Sequence, residues 1–507
     1  MKLLTELLNI NTKLIESNGF SLDYVKIIGE SDVKIKSIHF DSSKVVKSSL
    51  FIANKGVKND GHNYIMDAIS AGASVIVCEN LPLNIVPGIT YVQVPENTSS
   101  YALGLLASSF FNNPSEKIKL VGVTGTNGKT STVYYLTSLF KQLNFKVGMI
   151  STIENQIDNL RFPSTHTTPD AITINQLLSD MVDAGCEYCF MEVSSHGIAQ
   201  NRLTGLDFDI GVFTNISRDH LDYHGTFENY LNTKQSFFTN HIARLDAKSI
   251  INFDNKYRQR MIEFILDAWP EYNNFDYYSM DESSLLDNYA HIVKDTIDGM
   301  TLEIGGDEIT TNLVGEFNAY NLLVTYCVAC HLGVDKSLIK RGLSSIQQVP
   351  GRFNVLKSKN SIVGIVDYAH TPDALSKVIT SIRKFCDVEK DLIIVIGCGG
   401  NRDVGKRPLM GKVAADNCAL SIFTSDNPRL EDPKSIIDDM CSDLSSEAIK
   451  KIKKIINRED AIRYAVDSAS PGSIVLVAGK GHEKFQDSNG KKISFDDFSI
   501  LQKLLNP

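Results

Sequence analysis

The chain has 507 residues, and its 51 lysines and arginines are outnumbered by 60 aspartates and glutamates, giving a formal net charge of −9. An acidic chain without a basic run is not expected to bind nucleic acid over its surface. With 43% apolar residues the chain has enough hydrophobic surface to fold, and its length predicts about three domains.

The cysteines and the hydropathy pattern indicate a cytoplasmic protein. An odd number of cysteines, nine, is not the pattern of a disulfide framework, and we expect Cys186/Cys189 and Cys327/Cys330 to be buried thiols. No run approaches the roughly 18 apolar residues of a membrane span. The leucines around Glu6 have helical spacing, which predicts an amphipathic helix rather than a signal peptide.

The first section of the chain predicts a mixed α/β domain that ends near residue 116. Its strands are predicted at 49–53, 73–78 and 90–94, its helix at 64–70, and a linker at 111–115.

From residue 117 the pattern changes to strand, glycine-rich turn and helix, which is typical of a mainly parallel sheet covered on both faces. Strands are predicted at 119–123, 146–150, 188–193 and 210–215, and a helix at 131–143. After Pro350-Gly351, β-branched runs predict a second α/β sheet with strands at 362–367, 392–396, 420–424 and 474–478. The predicted domains are therefore 1–116, 117–349 and 350–507.

A phosphate-binding loop is predicted where the strand at 119–123 leads into GTNGKT, residues 125–130. A phosphate prefers backbone N–H donors, a helix N-terminus and a cation, and this segment offers all three. Lys129 is expected to reach the terminal phosphates, and the Thr130 hydroxyl to bind magnesium. The usual pattern has glycine where Val123 stands, so the interpretation depends on strand, loop and helix occurring in this order.

Polar side chains follow two further strands, at the edge where ligands bind in open α/β sheets. Glu192 and His220 are a carboxylate and an imidazole near a triphosphate, which suggests magnesium ligands. His220 and His224 have the spacing of a zinc-binding helix, but Leu221 replaces its glutamate and the stretch is predicted to be a loop. A serine nucleophile beside His196 is not favoured, because no GxSxG elbow surrounds it.

In the last section, polar clusters follow four predicted strands. They span residues 367–373, 397–403, 426–429 and 479–483. Because the carboxyl ends of parallel strands share one edge of a sheet, these clusters are expected to form one wall of a site. A phosphate loop and such an edge imply a nucleotide-dependent reaction.

Taken together, these motifs resemble those of the Mur ligases, which build the peptide stem of bacterial peptidoglycan. The resemblance covers essentially the whole chain and is carried, in order, by GTNGKTST (125–132), MEVSSHG (191–197), NISRDHLDYHG (215–225), GEFNAYN (315–321), GRFNV (351–355), VDYAHTPDAL (366–375), GCGGNRDVGKRPLMG (397–411), DNPR (426–429) and AGKGHE (478–483). It implies a UDP-binding N-terminal domain, a central P-loop ATPase-like domain and a C-terminal Rossmann-like domain.

The likeness is strongest to the members that add the third amino acid of the stem. It implies that ATP phosphorylates the D-glutamyl carboxylate of UDP-N-acetylmuramoyl-L-alanyl-D-glutamate, and that the amine of meso-diaminopimelate then attacks the acyl phosphate. Such a ligase serves cell wall biogenesis, and through it cell shape and cell division. ATP and Mg²⁺ are the implied cofactors and small molecules the implied partners. We expect a cytoplasmic monomer that binds neither nucleic acid nor membrane.

Residue roles follow from matching the motifs. The residues at ATP are Gly125, Thr126, Asn127, Gly128, Lys129, Thr130, Ser131, Asn318, Arg352, Asp367 and His370. Thr130, Glu192 and His220 match magnesium ligands. Lys234, on the helix after the HLDYHG segment, matches a lysine whose carbamate helps to place a second magnesium ion in this family. Lys129, Glu192, His220 and Lys234 are the predicted catalytic residues.

The resemblance also assigns a site for the UDP-sugar peptide. The matching residues are Phe40, Ser42, Val57, Lys58, Asn59, His166, Thr167, Thr168, Ser194, Gln200 and Arg202. The chain departs from the family in two places, since Ser43 stands where arginine is common and His166 where some members have asparagine.

The amino-acid site is predicted from chemistry as well as from resemblance. Diaminopimelate differs from lysine by a distal carboxylate, which a guanidinium recognises through two parallel N–H bonds. DNPR, with Arg429, is the diaminopimelate-recognising form in this family, and lysine-adding relatives lack that arginine. The other matching residues are Arg402, Asp426, Asn427, Pro428, Gly479 and Glu483, the last facing the distal ammonium.

Several alternatives stay open at this point. A lysine-adding ligase of the same family is the nearest. A folylpolyglutamate synthase shares the fold, but the DSSK-to-DGH segment and DNPR argue against it. A P-loop NTPase that switches or moves a partner would release phosphate without any amino acid. A non-enzymatic nucleotide-binding module is disfavoured by the many intact catalytic motifs.

Overall fold

The computed structural model describes residues 1–8, 25–56, 59–242, 244, 246–281, 286, 288–386 and 392–506. The chain divides into two compact units. The first comprises residues 1–125, 140–214 and 231–276, and the second residues 126–139, 215–230 and 277–507.

The N-terminal domain is built on a five-stranded sheet. In spatial order its strands are Lys26–Ile28, Thr90–Gln93, Ala73–Cys78, Ser49–Ile52 and Ser37–His39, parallel except for the first pair. Along one strand, Leu50 enters a core that includes the helix Ser99–Phe110, whereas Phe51 enters a second core that includes the helix Ile65–Ala71. Both faces of this sheet are covered, which explains why the sequences of its strands are continuous apolar runs. The shorter elements are Lys2–Leu3, Leu4–Leu8, Lys34–Ile35, Ser42–Lys44, Gly61–Tyr64 and Pro114–Lys117.

The central sheet has eight strands, in the order Leu160–Pro163, Glu154–Ile157, Val147–Ile150, Tyr188–Glu192, Lys119–Thr124, Ile210–Phe213, Lys248–Asn252 and Phe275–Tyr278. The strands from Val147–Ile150 to Lys248–Asn252 are parallel, and the first two strands form an antiparallel hairpin at one edge. The helices of this section are Lys129–Gln142, Ala171–Asp183, Ser195–Ala199, Leu221–His224, Phe227–His241 and Arg258–Ala268.

A three-stranded antiparallel sheet follows, with strands Ala290–Thr296, Gly299–Ile304 and Asp307–Thr311. In its middle strand Met300, Leu302 and Ile304 are buried and the residues between them are not, as expected for a sheet with one covered face. Two helices come next, Glu316–His331 and Lys336–Ser344.

The C-terminal sheet has six strands, in the order Asn354–Lys357, Val363–Asp367, Ile474–Ala478, Leu392–Ile396, Leu420–Phe423 and Ile452–Lys454; only the first is antiparallel. Ile394 and Leu476 enter one core, and Val395 and Val477 the core on the opposite face. The remaining elements are the helices Pro372–Arg383, Arg407–Asn417, Pro433–Cys441, Ser446–Lys450, Arg458–Asp467 and Asp497–Leu505, the 3₁₀ helix Val404–Lys406, and the hairpin Phe485–Ser488 and Lys491–Ser494.

The α/β class and the mainly parallel central and C-terminal sheets are confirmed. The prediction of a loop after His220 is wrong, because Leu221–His224 forms a short helix; His220 precedes it with φ 54°. The cysteine pairs are free thiols; Cys186, Cys189 and Cys327 are buried as predicted, whereas Cys330 is only partly buried. Within the described residues, no helix is both long and apolar enough to cross a membrane.

Candidate active site

The loop between the strand Lys119–Thr124 and the helix Lys129–Gln142 has the geometry of a phosphate cradle. Gly125 and Gly128 have φ values of 146° and 89°, which favour glycine and let the backbone turn towards the helix N-terminus. Asn215 holds the loop: its carbonyl accepts from the Thr126 N–H at 2.8 Å, and its side chain bonds both the N–H and the carbonyl of Asn127 at 3.0 Å. These bonds hold the loop at the N-terminus of the helix, where the first N–H groups of a helix have no partner within it and favour binding of an anion.

The cations at this loop come from two parts of the sequence. Lys129 lies back along the loop, its Nζ donating to the Thr126 carbonyl at 2.9 Å. Arg352 donates to the Thr130 hydroxyl at 3.0 Å, and its guanidinium lies 4.4 Å from the centre of the Tyr368 ring. Arg352, predicted at ATP from its motif, therefore meets the phosphate loop.

Asp367 ends its strand as a buried carboxylate. Its two oxygens accept from the N–H groups of Phe353 and Ala369, each at 2.7 Å. Burial raises the pKa of Asp367, while the charge of Arg352 and the backbone bonds oppose that shift. The carboxylate thus holds the backbone around Arg352 in place.

His370 lies near a buried acid that was not predicted, Asp219. The Nε2 of His370 is 3.9 Å and that of His220 is 3.3 Å from Oδ2 of Asp219. Burial alone would raise the pKa of Asp219, but the charges of His220, His370 and Lys406 outweigh it and lower the pKa to about 2. The carboxylate is therefore ionised at neutral pH and lies beside both imidazoles.

Asn318 has its amide engaged within the protein. Its Oδ1 accepts from the Tyr135 hydroxyl at 2.9 Å and its Nδ2 donates to the Val314 carbonyl at 2.9 Å. Asn318 thereby joins the helix after the phosphate loop to the helix Glu316–His331.

Glu192 is fully buried at the end of its strand, in register with Val123 just before the phosphate loop. Its Oε1 accepts from the Thr152 N–H at 2.7 Å, and its carbonyl accepts from the Thr168 hydroxyl at 2.7 Å. The Thr168 hydroxyl also accepts from the Ser194 N–H at 2.9 Å. The carboxylate is therefore rigidly placed at the edge where ligands are expected.

Residues predicted at the muramoyl peptide are joined to this edge. Arg202 donates to the Thr168 carbonyl at 2.5 Å and, through two nitrogens, to Oε1 of Gln200 at 2.6 and 3.2 Å. The Ser194 hydroxyl caps a short helix by accepting from the Gly197 N–H at 3.1 Å. His166 is exposed, and partial burial with the charge of Arg202 lowers its pKa.

The predicted uridine-side residues belong to the N-terminal sheet. Phe40 follows the strand Ser37–His39 and is half-buried against the core, and Ser42 begins the 3₁₀ helix Ser42–Lys44. The carbonyl of Asn59 accepts from the Gly56 N–H at 2.9 Å. Val57 and Lys58 lie outside the described residues.

Lys234 belongs to the first unit and is buried, with 1% of its surface exposed. Its Nζ donates to the carbonyl of Gly125, the first residue of the phosphate loop, at 2.8 Å. Thr167, of the same unit, lies near the Glu192 segment, its hydroxyl 3.0 Å from that of Thr152.

The donor types fit a hard divalent cation with ATP. Within the described residues, no group of three or more His, Cys, Asp or Glu side chains is arranged to hold a metal ion. Mg²⁺ at phosphates needs no such group, because one or two carboxylates, water and phosphate oxygens complete its shell. Glu192 and Lys234 belong to the first unit, and Thr130 and His220 to the second.

The four predicted clusters of the C-terminal domain share one sheet edge, since their strands are parallel neighbours. The Gly479 N–H donates to the Asp367 carbonyl at 3.1 Å, and the Gly400 N–H to the Asn427 carbonyl at 2.9 Å. A Cβ at Gly479 would lie 2.9 Å from Oδ2 of Asp426, and Asp426 in turn accepts from the Asn427 N–H at 2.7 Å.

Arg429 is held at this edge in a conformation unusual for its type, with φ 53°. Its N–H donates to the Asp487 carbonyl at 3.0 Å, and one guanidinium nitrogen donates to the Gly400 carbonyl at 2.7 Å. Arg402 is exposed nearby: a Cβ on Gly399 would be 3.0 Å from Nη1 of Arg429 and 3.7 Å from Cγ of Arg402. The C-terminal hairpin, not only the DNPR segment, therefore positions the arginine.

Sequence reasoning missed several residues of these networks. They are Thr126's partner Asn215, the acid Asp219, the ring of Tyr368, the buried Lys480, and Gln486 and Asp487 of the hairpin. Asn215, Asp219, Tyr368 and Lys480 lie inside motifs already recognised, so their position was available as a signal. The hairpin Phe485–Ser488 and Lys491–Ser494 carried no such signal, because its side chains do not directly follow a buried strand.

His482 provides a pH-dependent test of this edge. Its ring centre is 5.1 Å from that of Tyr368, and its Nδ1 is buried with no hydrogen-bond partner among the described residues. Burial, followed by the charge of Arg352, lowers the pKa of His482 from 6.5 to about 3. In the unfolded chain His482 binds a proton near pH 6.5, whereas in the folded chain it stays neutral until about pH 3. Below pH 6.5 the proton therefore stabilises the unfolded state, and the free energy of unfolding falls as the pH falls towards 3.

We expect the free energy of unfolding of the wild-type protein to fall by about 1–2 kcal/mol more than that of His482→Phe between pH 6.5 and 5. Phenylalanine keeps the ring contact but cannot bind the proton. Denaturant unfolding of both proteins at each pH measures the difference, and parallel pH profiles would contradict the assignment.

Comparisons with known proteins bear on the whole chain. Three family models match: the Mur ligase middle domain at residues 123–329, the Mur ligase glutamate ligase domain at residues 351–481, and the Mur ligase family catalytic domain at residues 34–110.

Two curated relatives are each 44% identical to the chain. Both are named UDP-N-acetylmuramoyl-L-alanyl-D-glutamate–2,6-diaminopimelate ligase. The one from Cytophaga hutchinsonii aligns over 96% of this chain and 98% of its own length, and the one from Bacteroides thetaiotaomicron over 95% and 98%. A solved structure of a ligase with the same name is 30% identical, covers 97% of this chain and 98% of its own, and superimposes with a TM-score of 0.66.

Proposed function

The chain belongs to the Mur ligase family, and from this premise we propose that it joins meso-diaminopimelate to the D-glutamyl carboxylate of UDP-N-acetylmuramoyl-L-alanyl-D-glutamate, consuming ATP. It is an ATP-dependent ligase with the three-domain architecture of that family. We assign residues 1–116 to the UDP-sugar, 117–349 to ATP and 350–507 to the amino acid.

The first step transfers the γ-phosphoryl group of ATP to the D-glutamyl carboxylate, giving an acyl phosphate and ADP. A carboxylate is a poor electrophile, and the phosphate makes its carbonyl carbon reactive by supplying a leaving group. The main requirement is to position and neutralise phosphate charge. The positive charge and the donors that this requires come from the N–H groups of the loop, from Lys129 and from Arg352. All of them are held at the start of the helix Lys129–Gln142.

The ATP-side roles of the remaining matched residues are part of this proposal. Asp367 fixes the backbone of the Arg352 segment, and Asp219 orients His220 and His370. Glu192, His220, Thr130 and Lys234 as its carbamate are the residues that would hold magnesium. Bound there, Mg²⁺ would supply charge neutralisation at the phosphate oxygens.

In the second step the amine of diaminopimelate attacks the acyl carbon, the amide bond forms and inorganic phosphate leaves with the bonding electron pair. The nitrogen loses a proton as it becomes an amide. Residues Thr167, Thr168, Ser194, Gln200 and Arg202 would hold the muramoyl peptide, which places its carboxylate for both steps. Hydrogen bonds support this assignment, because they keep the donors oriented before substrate arrives. They join Thr168, Ser194, Gln200 and Arg202 to one another and Thr167 to Thr152.

One observation carries the choice of amino acid. Arg429 is held at φ 53° by the hairpin backbone, with its guanidinium beside Gly400 and next to Arg402. An unfavourable backbone conformation at a fixed arginine is typical of a functional site. A fixed guanidinium suits the distal carboxylate of diaminopimelate, a group that lysine lacks.

The proposal is tested by measuring phosphate release with ATP, Mg²⁺ and UDP-N-acetylmuramoyl-L-alanyl-D-glutamate. Parallel reactions contain meso-diaminopimelate, L-lysine or no amino acid. We expect release only with meso-diaminopimelate, together with the mass of the tripeptide product. Release with L-lysine alone would keep the ligase and overturn the choice of amino acid. Release without any amino acid would indicate an NTPase.

Carbamylation of Lys234 is a separate expectation. Its Nζ is buried and donates to Gly125 at the phosphate loop, so a carbamate formed there would add a negative charge and oxygen ligands beside ATP. In the presence of ¹³C-labelled bicarbonate we expect a carbamate carbon signal in the NMR spectrum of the wild-type protein. Lys234→Arg, which cannot form a carbamate, should lack it. A wild-type spectrum without the signal would contradict the assignment.

A further inference from the structure

Lys480 is completely buried at the amino-acid edge. It follows the strand Ile474–Ala478 and lies between Gly479 and Gly481, whose φ values are 110° and 53°. The two glycines allow a turn that points the lysine inward. A buried ammonium is costly unless it is paired, and neither the phosphate chemistry nor the matched amino-acid contacts account for this one.

The partners of Lys480 come from the predicted diaminopimelate site. Its Nζ donates to Oδ1 of Asn427 at 3.0 Å and to Oε2 of Glu483 at 2.8 Å. It also lies 5.9 Å from the centre of the Phe485 ring, near the outer limit of a cation–π contact. Lys480 therefore joins the DNPR segment to the residue predicted to face the distal ammonium.

The hydrogen bonds to Glu483 reach only one of its oxygens. Oε2 accepts from Lys480 and from Nδ2 of Asn427 at 2.7 Å, while within the described residues Oε1 has no bond. The Glu483 side chain is 21% exposed, whereas that of Lys480 is 0% exposed. Two hydrogen bonds thus fix the carboxylate through Oε2, and the partly exposed side chain leaves Oε1 for a ligand.

The same lysine is linked to Arg429 through the backbone of the hairpin. Oδ1 of Asn427 accepts from the Asp487 N–H at 2.9 Å, and the Asp487 carbonyl accepts from the Arg429 N–H at 3.0 Å. Loss of Lys480 would loosen the carboxylate and, through Asn427 and Asp487, the arginine.

We propose that Lys480 is a positioning residue that sets the amino-acid selectivity of the site, an inference that rests on the proposed function. The distal centre of diaminopimelate carries one ammonium and one carboxylate and has no net charge, whereas the distal end of lysine carries an ammonium alone. The buried charge of Lys480 offsets that of Glu483, so the site does not become an anionic pocket that attracts any ammonium. Removing this charge makes the site more negative by one unit and favours lysine relative to diaminopimelate.

The test compares Lys480→Met with wild type, because methionine is of similar length and carries no charge. We expect kcat/KM for meso-diaminopimelate to fall at least tenfold, mainly through KM. The ratio of kcat/KM for meso-diaminopimelate to kcat/KM for L-lysine should fall by about tenfold, while the KM for ATP stays unchanged. Lys484→Met is the matched control: Lys484 is exposed, is paired with Asp496 at 2.6 Å, and should behave as wild type.

A double variant, Lys480→Met with Glu483→Gln, separates positioning from folding. It leaves no unpaired buried charge, so it should fold even if Lys480→Met does not. We expect the effects of the two substitutions on meso-diaminopimelate kcat/KM to be strongly non-additive. Where the single variant does not fold, the double variant is compared with Glu483→Gln, from which it differs by one positive charge, and it should favour L-lysine relative to meso-diaminopimelate more than Glu483→Gln does.

An equal loss with both amino acids, additive effects, or a folded double variant with the same amino-acid preference as Glu483→Gln would overturn the role of Lys480. A wild-type protein that does not ligate meso-diaminopimelate would instead overturn the proposed function, and this inference with it.

Discussion

Lys129→Ala is expected to lower kcat for phosphate release about a thousandfold, the largest effect of any single substitution in the phosphate loop. The ammonium is the loop's own cation, held at the helix start by the Thr126 carbonyl. Alanine is a good helix former at the first position of Lys129–Gln142, so the fold should be retained. Steady-state kinetics with saturating substrates measures the change.

Lys119→Ala is the control for this loss of charge. Lys119 begins the strand that leads to the same loop, is 62% exposed and pairs with Asp209 at 2.7 Å. Its replacement should change kcat by less than about twofold, since an exposed ion pair contributes little. Similar kinetics for Lys129→Ala and wild type would show that the loop does not act on the transferred phosphate.

Arg429→Ala should lower kcat/KM for meso-diaminopimelate by about a hundredfold to a thousandfold while ATP binding is retained. Both residues carry a Cβ, so the cost of the backbone at φ 53° is similar and the loss reports the guanidinium. Arg429→Lys keeps the charge but loses the planar pair of donors, and we expect it to recover only part of the activity.

Arg463→Ala is the matched control for the arginine. Arg463 is 53% exposed on the helix Arg458–Asp467 and pairs with Glu459 one turn away. Calorimetric titration with ATP and with meso-diaminopimelate separates the two sites. Full activity of Arg429→Ala with meso-diaminopimelate would overturn the assignment, and a loss of ATP affinity would point to a general disturbance of the fold.

The two substitutions report on different halves of the reaction. In our proposal Lys129 acts on phosphate, which every ATP-dependent ligase of this architecture handles, whereas Arg429 binds a group that is present in one amino acid and absent from its nearest competitor. Unchanged ATP affinity in Arg429→Ala with lost meso-diaminopimelate use would therefore locate selectivity in the C-terminal edge rather than in the phosphate loop.

Part of the fold could be predicted because the strands of covered parallel sheets are short, continuous apolar runs. Ala73–Cys78, Leu392–Ile396 and Ile474–Ala478 have the predicted bounds. The antiparallel strands Leu160–Pro163 and Ala290–Thr296 were not predicted, since the first is exposed, the second is mostly half-buried, and neither has such a run. Their stability depends on pairing with a neighbouring strand, which a local pattern does not reveal.

The candidate site was likewise only partly predictable from the sequence. The phosphate loop was predictable, because its glycines and lysine all lie within residues 125–129 and their chemistry depends on a few neighbouring residues. The contacts that orient the site join distant positions: Arg352 meets Thr130 across 222 residues, and Tyr135 meets Asn318 across 183. No spacing in the sequence indicates these pairs.

The sequence alone determined the α/β class, the phosphate loop and, through its ordered motifs, the family, since these depend on residues close together in the chain. Only the tertiary structure decided that Lys480 holds Asn427 and Glu483. The strand Ile474–Ala478 inserts between Val363–Asp367 and Leu392–Ile396, and this order brings Lys480 to Asn427 across 53 residues. Strand order is settled by the burial of both faces of the whole sheet, and that is a property of the folded chain.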